Sequence, residues 1–208
     1  MLELKNIRKS YLAEAVLNIP LLQLENGIYW IKGENGSGKT TLLKMISGLI
    51  PFEGEIYFHG KCLKTQPVAY RRQISWAEAE PLYPSFLTGK NLLSLYKQIR
   101  GASQQNIDQL IRFFKMEEYI GDVVGSYSAG MTKKLSLALA FIGNPALIIL
   151  DEPLITLDAN SLDNVCDLID KTHGMNATCF LLTSHQSAQG KLLSGREIIV
   201  SNRTATIK

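Results

Sequence analysis

The sequence predicts an α/β domain that is interrupted by a helical insertion. A short apolar strand at residues 27–31 leads into a glycine-rich loop, which is followed by a helical pattern. A second, fully apolar strand covers residues 146–150. Between residues 92 and 141, apolar residues recur mostly with helical rather than strand spacing. The strands before and after this helical segment are therefore predicted to form one α/β core.

Strands are expected on both sides of the insertion. Before it they cover residues 2–11, 27–31, 55–59 and 73–77, and after it residues 146–150, 177–183, 197–200 and 204–207. The fully apolar strand 146–150 is typical of the centre of a parallel sheet covered on both faces.

The helices are predicted from apolar residues that recur every three or four positions. The first begins after the glycine-rich loop and ends near Gly48 and Pro51. In the insertion, two helical faces are predicted: Leu92, Leu95, Tyr96 and Ile99; then Ile107, Leu110, Ile111 and Phe114, with Ser103 as N-cap. A last helix, over residues 162–171, carries one apolar stripe: Leu162, Val165, Cys166 and Ile169.

Composition narrows the class of protein. The chain has 208 residues, of which 46% are hydrophobic and 20% charged, so disorder, collagen and coiled coil are excluded for the chain as a whole. No apolar run approaches the roughly 18 residues that span a bilayer, and the first residues lack the features of an export signal. Three scattered cysteines suit a reducing compartment. A soluble, cytoplasmic chain is expected, and a net charge of +3 is too weak to indicate a nucleic-acid partner.

The glycine-rich loop fits a phosphate-binding motif, Gly33-x4-Gly38-Lys39-Thr40, between a strand and a helix. Its glycines allow successive N–H groups to point toward one anion, and the helix adds unpaired amides. Lys39 can reach the β- and γ-phosphates, and the Thr40 hydroxyl can bind Mg²⁺. The predicted phosphate site comprises Gly33, Asn35, Gly36, Ser37, Gly38, Lys39, Thr40 and Thr41. The alternative, a turn of no chemical use, does not account for the flanking strand and helix.

Two acidic residues follow the apolar strand 146–150. The carboxyl ends of parallel strands are where such sheets bind ligands. Asp151 there can hold Mg²⁺, directly or through water, and Glu152 can accept a proton from an attacking water. The alternative is an ordinary strand end with two exposed acids. Next to a phosphate loop, the pair is predicted to complete the site.

With these motifs, the sequence resembles the ATP-binding cassette (ABC) ATPases, specifically the nucleotide-binding subunit of an ABC transporter, over nearly the whole chain. The resemblance implies a P-loop NTPase (RecA-like) core with an antiparallel β subdomain and a helical insertion. Residues 1–208 would form one ABC ATPase domain. Residues 1–81 and 144–208 would form the nucleotide-binding core with the β subdomain, and residues 82–143 the helical subdomain.

The resemblance assigns further residues. Residues 127–131, Tyr-Ser-Ala-Gly-Met, stand where the family has its signature LSGGQ, and keep Ser128 and Gly130. In the family these groups contact the γ-phosphate held by the opposite subunit. Asp158 resembles the D-loop residue at the dimer interface, His185 the switch histidine at the γ-phosphate, and Tyr11 the aromatic residue that stacks on adenine.

One position departs from the family pattern. Residues 74–84 resemble the Q-loop, but Ala79 stands at the position of the glutamine that contacts Mg²⁺ or the attacking water. Alanine cannot make that contact. Glu78, Glu80 or Gln73 could replace it, and the sequence leaves these alternatives open.

The resemblance implies a mechanism in which two subunits enclose two ATP·Mg²⁺ at their interface and hydrolysis reopens the dimer. The second subunit would be another copy or a different chain. The pair would dock on integral membrane permease subunits at the inner face of the cell membrane, through the helical insertion and the Ala79 loop. Residues 87–92 resemble a stretch of bacterial exporter cassettes, which favours export.

Three other classes of protein fit parts of the sequence. A non-hydrolysing regulatory cassette would fit Ala79, but not the combination of Lys39, Asp151, Glu152 and His185. A soluble cassette of translation or DNA repair, and a small-molecule kinase, fit less of the chain.

Overall fold

A computed structural model describes residues 1–12, 14–156, 159–183 and 195–208 of the chain. The predicted site residues Asp158 and His185 lie outside these described residues. The described chain folds into two sheets with helices packed around the larger one.

The larger sheet has six strands in the order β10-β9-β3-β8-β7-β6. Its strands are β3 (Ile28–Lys32), β6 (Ile74–Ala77), β7 (Leu147–Leu150), β8 (Cys179–Thr183), β9 (Arg196–Ser201) and β10 (Thr204–Ile207). All neighbours are parallel except the hairpin of β9 and β10. The predicted apolar strand is β7, which lies inside the sheet and is buried along its length. Because the strands run parallel, the carboxyl ends of β3, β6, β7 and β8 share one edge.

The smaller sheet is antiparallel, in the order β2-β1-β4-β5. It consists of β1 (Leu2–Tyr11), β2 (Glu14–Leu24), β4 (Glu53–Phe58) and β5 (Lys61–Cys62). Strand β2, the longest of the four, was not predicted from the sequence. Pro20 interrupts its pattern, and a proline is accommodated there because β2 is an edge strand.

In the part of the chain that the structure describes, the strands are connected by six α-helices: α1 (Lys39–Ile46), α2 (Pro67–Arg71), α3 (Gly89–Arg100), α4 (Gln104–Phe113), α5 (Ala129–Ala140) and α6 (Ala159–Asn176), with a short 3₁₀ turn at Val124–Ser126. Helices α3, α4 and α5 fall within residues 82–143, and every described strand lies outside that range. The predicted fold class, an α/β core with an antiparallel sheet and a helical insertion, is confirmed. The exact domain bounds stay a prediction.

The six-stranded sheet separates two hydrophobic cores. Along β7, Ile148 and Leu150 face the core formed with α3, α4, α5 and α6. Leu147 and Ile149 face the core shared with α1 and the antiparallel sheet. Strands β3 and β8 alternate in the same way, which explains why all three read as nearly continuous apolar runs. The three cysteines are unpaired and buried.

The predicted face of α3 is partly wrong. The helix buries Leu92 and the adjacent Leu93, whereas Leu95 is 48% and Ile99 67% exposed. The predicted N-cap of α4 is present: the Ser103 hydroxyl accepts a hydrogen bond from the Asn106 amide. The structure places part of the apolar surface of the insertion outside the core.

Arg100, the last residue of α3, connects the insertion to the amino end of β6. Its guanidinium donates hydrogen bonds to the carbonyl oxygens of Arg72 and Ile74, the former at 2.9 Å. It also lies 3.4 Å from the Ser75 hydroxyl, and burial lowers its pKa. These contacts fix the end of α3 on the core.

Within the described ranges, none of the helices combines the length and the hydropathy needed to traverse a bilayer.

Replacing Arg100 by Met should lower the free energy of unfolding by about 1.5–3 kcal/mol, because carbonyl groups that now accept from a charged donor lose it. Urea titration followed by circular dichroism measures the change. Arg112→Met, at an exposed position on α4, is the matched control and should stay within about 0.5 kcal/mol of wild type. Equal losses in both variants would contradict the anchoring role.

Candidate nucleotide-binding site

The glycine-rich loop lies between β3 and α1, at the carboxyl edge of the large sheet. At two positions of the loop, only glycine fits the backbone conformation or the space available. A Cβ on Gly33 would lie 2.3 Å from the carbonyl oxygen of Val200, and Gly38 has φ 103° in the left-handed region. Gly38 also packs against Leu17 of β2. The loop is therefore held between both sheets.

Helix α1 begins directly after the loop, and Gly38 gives it no side-chain cap. The amides of its first turn are consequently free of a capping side chain, which is the arrangement that binds anions at a helix N-terminus. The ammonium of Lys39 donates to the carbonyl oxygens of Gly33 at 2.8 Å and Glu34 at 2.9 Å. The Lys39 ammonium therefore lies against the loop, close to the amides of the first turn of α1.

A network of hydroxyl and carboxylate groups links the loop to the acidic pair. Asp151 is 2% exposed, and its Oδ1 accepts hydrogen bonds from the hydroxyls of Thr183, at 2.6 Å, and Thr40, at 3.3 Å. The same Thr183 hydroxyl accepts from the Glu152 amide at 2.8 Å. Three elements, α1, β8 and the end of β7, therefore meet at one buried carboxylate.

Glu152 has φ 48°, in the left-handed region that non-glycine residues seldom adopt. Such backbone strain persists only where the surrounding structure holds it, and it is frequent at active sites. Here the amide of Glu152 is held by Thr183. The turn brings Glu152 to the wall of a cleft of about 430 Å³ that also contains Lys39, Thr40 and Thr41.

The other end of this cleft is aromatic and apolar. Tyr11, at the end of β1, and Val16, on β2, line it together with Asn35, Gly36 and Gly38. Tyr11 is 48% exposed, and the ammonium of Lys9 lies 4.6 Å from the centre of its ring. The cleft thus has a phosphate-binding end and, at the other end, a surface suited to the base of a nucleotide. Val16 was not predicted as a site residue because strand β2 was not predicted.

The donor set at the phosphate end fits Mg²⁺. The Thr40 hydroxyl and the Asp151 carboxylate are oxygen ligands within 3.3 Å of each other. Mg²⁺ prefers oxygen ligands, and typically takes one or two from the protein while keeping phosphate oxygens and water. Among the described residues there is no cluster of three or more metal-binding side chains. Thr40 and Asp151 therefore match the small number of oxygen ligands that a protein usually gives to Mg²⁺.

Ser128 and Gly130 do not line the cleft of their own chain. Ser128 is the N-cap of α5, and its hydroxyl accepts from the Met131 amide at 3.2 Å. Its exposed position at a helix N-terminus leaves it accessible to a second molecule. Tyr127, in place of the signature leucine, donates a hydrogen bond to the Tyr119 carbonyl at 2.9 Å and so anchors this segment in the insertion.

The structure shows which of the three candidate residues lie where the Q-loop glutamine would be replaced. Gln73 lies at the amino end of β6, where it donates to the Ala69 carbonyl at 3.2 Å, so it is at the opposite end of the strand from the site. Glu78 directly follows β6 and pairs with Lys44 of α1 at 4.0 Å. This position removes Gln73 as a substitute and leaves Glu78 and Glu80 at the correct edge of the sheet.

Lys133 is a site residue that the sequence analysis did not single out. It is 2% exposed, and its ammonium donates to the carbonyl oxygens of Glu78, Ala79 and Asp151. Burial lowers the pKa of Lys133 to about 8, while the charges of Asp151 and Glu152 act in the opposite direction. Its position in a helix next to Lys134 gave no sequence signal to distinguish it from a solvated lysine.

The fold and the cleft define a nucleotide-binding protein with a phosphate loop. A family model described as "ABC transporter" matches residues 18–155. The chain belongs to this family, as a nucleotide-binding subunit, and is an ATPase of the ABC class. The resemblance stated from the sequence is confirmed.

Individual proteins are similar over most of the chain. The uncharacterized ABC transporter ATP-binding protein YxlF of Bacillus subtilis is 30% identical, and the match covers 97% of this chain and 68% of YxlF. The spermidine/putrescine import ATP-binding protein PotA of Fusobacterium nucleatum is 28% identical, over 94% of this chain and 54% of PotA. A solved ATP-binding subunit of an ABC transporter superposes with a TM-score of 0.90 at 26% identity, covering 100% of this chain and 90% of that one.

Replacing Thr183 by Val should reduce ATP turnover about 10- to 100-fold, because Asp151 loses a donor and the Glu152 amide loses its acceptor. Steady-state phosphate release measures the change. Thr178→Val is the matched control: Thr178 is equally buried at the other end of β8, where its hydroxyl donates to the Pro145 carbonyl at 3.1 Å. Both variants should lose about 1–3 kcal/mol of stability. Equal turnover in the two variants would contradict the role of Thr183.

Proposed function

We propose that this chain powers transport through separately encoded membrane subunits, by binding and hydrolysing ATP between two copies of itself. The observation that carries the proposal is the network in which Thr40 and Thr183 join the phosphate loop to Asp151 and Glu152. A loop that only binds phosphate does not need a strained carboxylate residue held beside it.

In the proposed reaction, the loop amides and Lys39 bind the β- and γ-phosphates, and Tyr11 stacks on the adenine. Thr40 and Asp151 would hold Mg²⁺, which would supply positive charge to neutralise the charge that develops on the transferred phosphate. Glu152 accepts a proton from the attacking water, as a general base in reach of the cleft. From the family resemblance we also assign His185 to the γ-phosphate and Asp158 to the dimer interface; both residues are outside the described ranges.

ABC ATPases work as dimers with membrane permease partners. We assign Ser128 and Gly130 of one copy to the γ-phosphate held by the other, which is supported by their absence from the cleft of their own chain. ATP then binds the closed dimer better than the open one, and this difference in affinity drives the closure. A homodimer is the proposed state, located on the inner face of the cell membrane.

The proposed docking face for the membrane subunits is the insertion with the loop that follows Ala79. In that loop Leu82 is 90% and Phe86 76% exposed, and Ile99 of α3 is 67% exposed. These exposed apolar side chains support the proposed contact with another protein. Export is the proposed direction, on the resemblance of residues 87–92 to exporter cassettes. It predicts ATP-driven movement of substrate away from the membrane side that carries this chain.

Replacing Glu152 by Gln should lower turnover about 10²- to 10⁴-fold, the contribution of a positioned general base. ATP affinity should be kept, so the variant should accumulate as a dimer on addition of ATP and Mg²⁺. Phosphate release and size-exclusion chromatography measure the two effects. Turnover within about threefold of wild type would remove Glu152 from the role of base.

The shared site has its own test in the unmodified chain. Turnover per chain should rise with protein concentration, because each site is completed by a second copy. Turnover that is independent of concentration while the chain is monomeric would contradict the shared site. ATP binding without turnover at any concentration would instead mean that Ala79 marks a cassette that needs its membrane partner for hydrolysis, or one that has become regulatory.

A further inference from the structure

Lys133 lies on the second turn of α5, between the signature segment and the acidic pair. Its ammonium is 2.9 Å from the carbonyl oxygen of Glu78, 3.0 Å from that of Ala79 and 3.2 Å from that of Asp151. An ammonium has three N–H donors, so these carbonyls account for all of them. The side chain is 2% exposed.

The three carbonyls belong to residues that follow two different strands. Glu78 and Ala79 directly follow β6, and Asp151 directly follows β7, its parallel neighbour. The strands are already joined there, since the Asp151 amide donates to the Ala77 carbonyl at 2.9 Å. Lys133 extends this connection beyond the ends of the strands, into the segment where backbone pairing stops.

A lysine in this place costs free energy unless every donor is used, because burial removes its hydration. An apolar side chain would fill the space between α5 and the sheet without that cost, but it would leave the three carbonyls unpaired. The ammonium is therefore suited to hold the two chain segments together beyond the hydrogen bond between the Asp151 amide and the Ala77 carbonyl. It also brings a positive charge close to Asp151 and Glu152.

We propose that Lys133 is a positioning residue for hydrolysis, which holds the loop after β6 against the acidic pair. The inference rests on the proposed function and deepens it. At Ala79 no side chain can connect the loop to the site, and the connection runs instead through the backbone carbonyl of Ala79 and the Lys133 ammonium.

The same lysine is joined to the signature by one rigid turn. Ser128 caps α5 five positions earlier, and the Thr132 hydroxyl donates back to the Ser128 carbonyl at 3.0 Å. Five residues of α-helix span about 7.5 Å. A displacement of Ser128 on contact with the second copy is therefore passed to the Ala79 loop and to Asp151 through Lys133.

The test compares Lys133→Met, which has similar length but no donors, with Lys134→Met, which removes the neighbouring and less buried lysine. The first measurement is amide hydrogen exchange of residues 78–83 in the full chain without nucleotide. In Lys133→Met this segment should exchange about tenfold faster than in wild type and in Lys134→Met. Should Lys133→Met not fold, Lys133→Gln, which keeps two donors on a shorter chain, is measured by the same criteria.

The second measurement separates positioning from general stability. In Lys133→Met, kcat for ATP should fall about 100-fold while KM stays within about threefold, because the phosphate loop is untouched. Unchanged exchange of residues 78–83 would overturn the inference. So would equal losses of ATP affinity and kcat, since that is the result of a general loss of structure.

Failure of the proposed function gives a different result. If the wild-type chain does not hydrolyse ATP but exchange of residues 78–83 still rises in Lys133→Met alone, hydrolysis by the chain without its membrane partner is contradicted. The placement of the loop by Lys133 is supported in that case.

Discussion

The buried carboxylate of Asp151 is the constraint on which the rest of the site depends. A carboxylate with 2% exposure must be hydrogen-bonded, and here its partners come from α1 and β8. Those hydroxyls can reach it only if α1 starts directly after the phosphate loop and if β8 lies beside β7. The parallel order of the sheet, the glycines of the loop and the strained turn at Glu152 all satisfy this requirement.

The phosphate end of the site could be predicted from sequence because its chemistry is local. Gly33, Gly38, Lys39 and Thr40 fall within eight consecutive positions, and the apolar strand before Asp151 announces a buried parallel strand by composition alone. Both signals depend on short-range spacing, which a single sequence contains in full. The strands of the large sheet were predicted in the same way, from short apolar segments.

What could not be predicted depends on contacts between distant segments. Strand β2 contains Pro20, which is acceptable only at the edge of a sheet, and edge position is a property of the folded chain. Thr183 and Lys133 look like a strand-end threonine and a helix-surface lysine until Asp151 is seen between them. Leu95 and Ile99 have core-like spacing on α3, but the helix turns Leu93 inward instead.

Arg100 and Lys133 attach the insertion to opposite ends of β6, the first at Arg72 and Ile74, the second at Glu78 and Ala79. Between these two ends, α3 and α5 pack on the sheet through the apolar core that includes Ala77 of β6. The insertion and β6 are therefore joined at both ends of the strand and along the core between them, so neither can shift without the other.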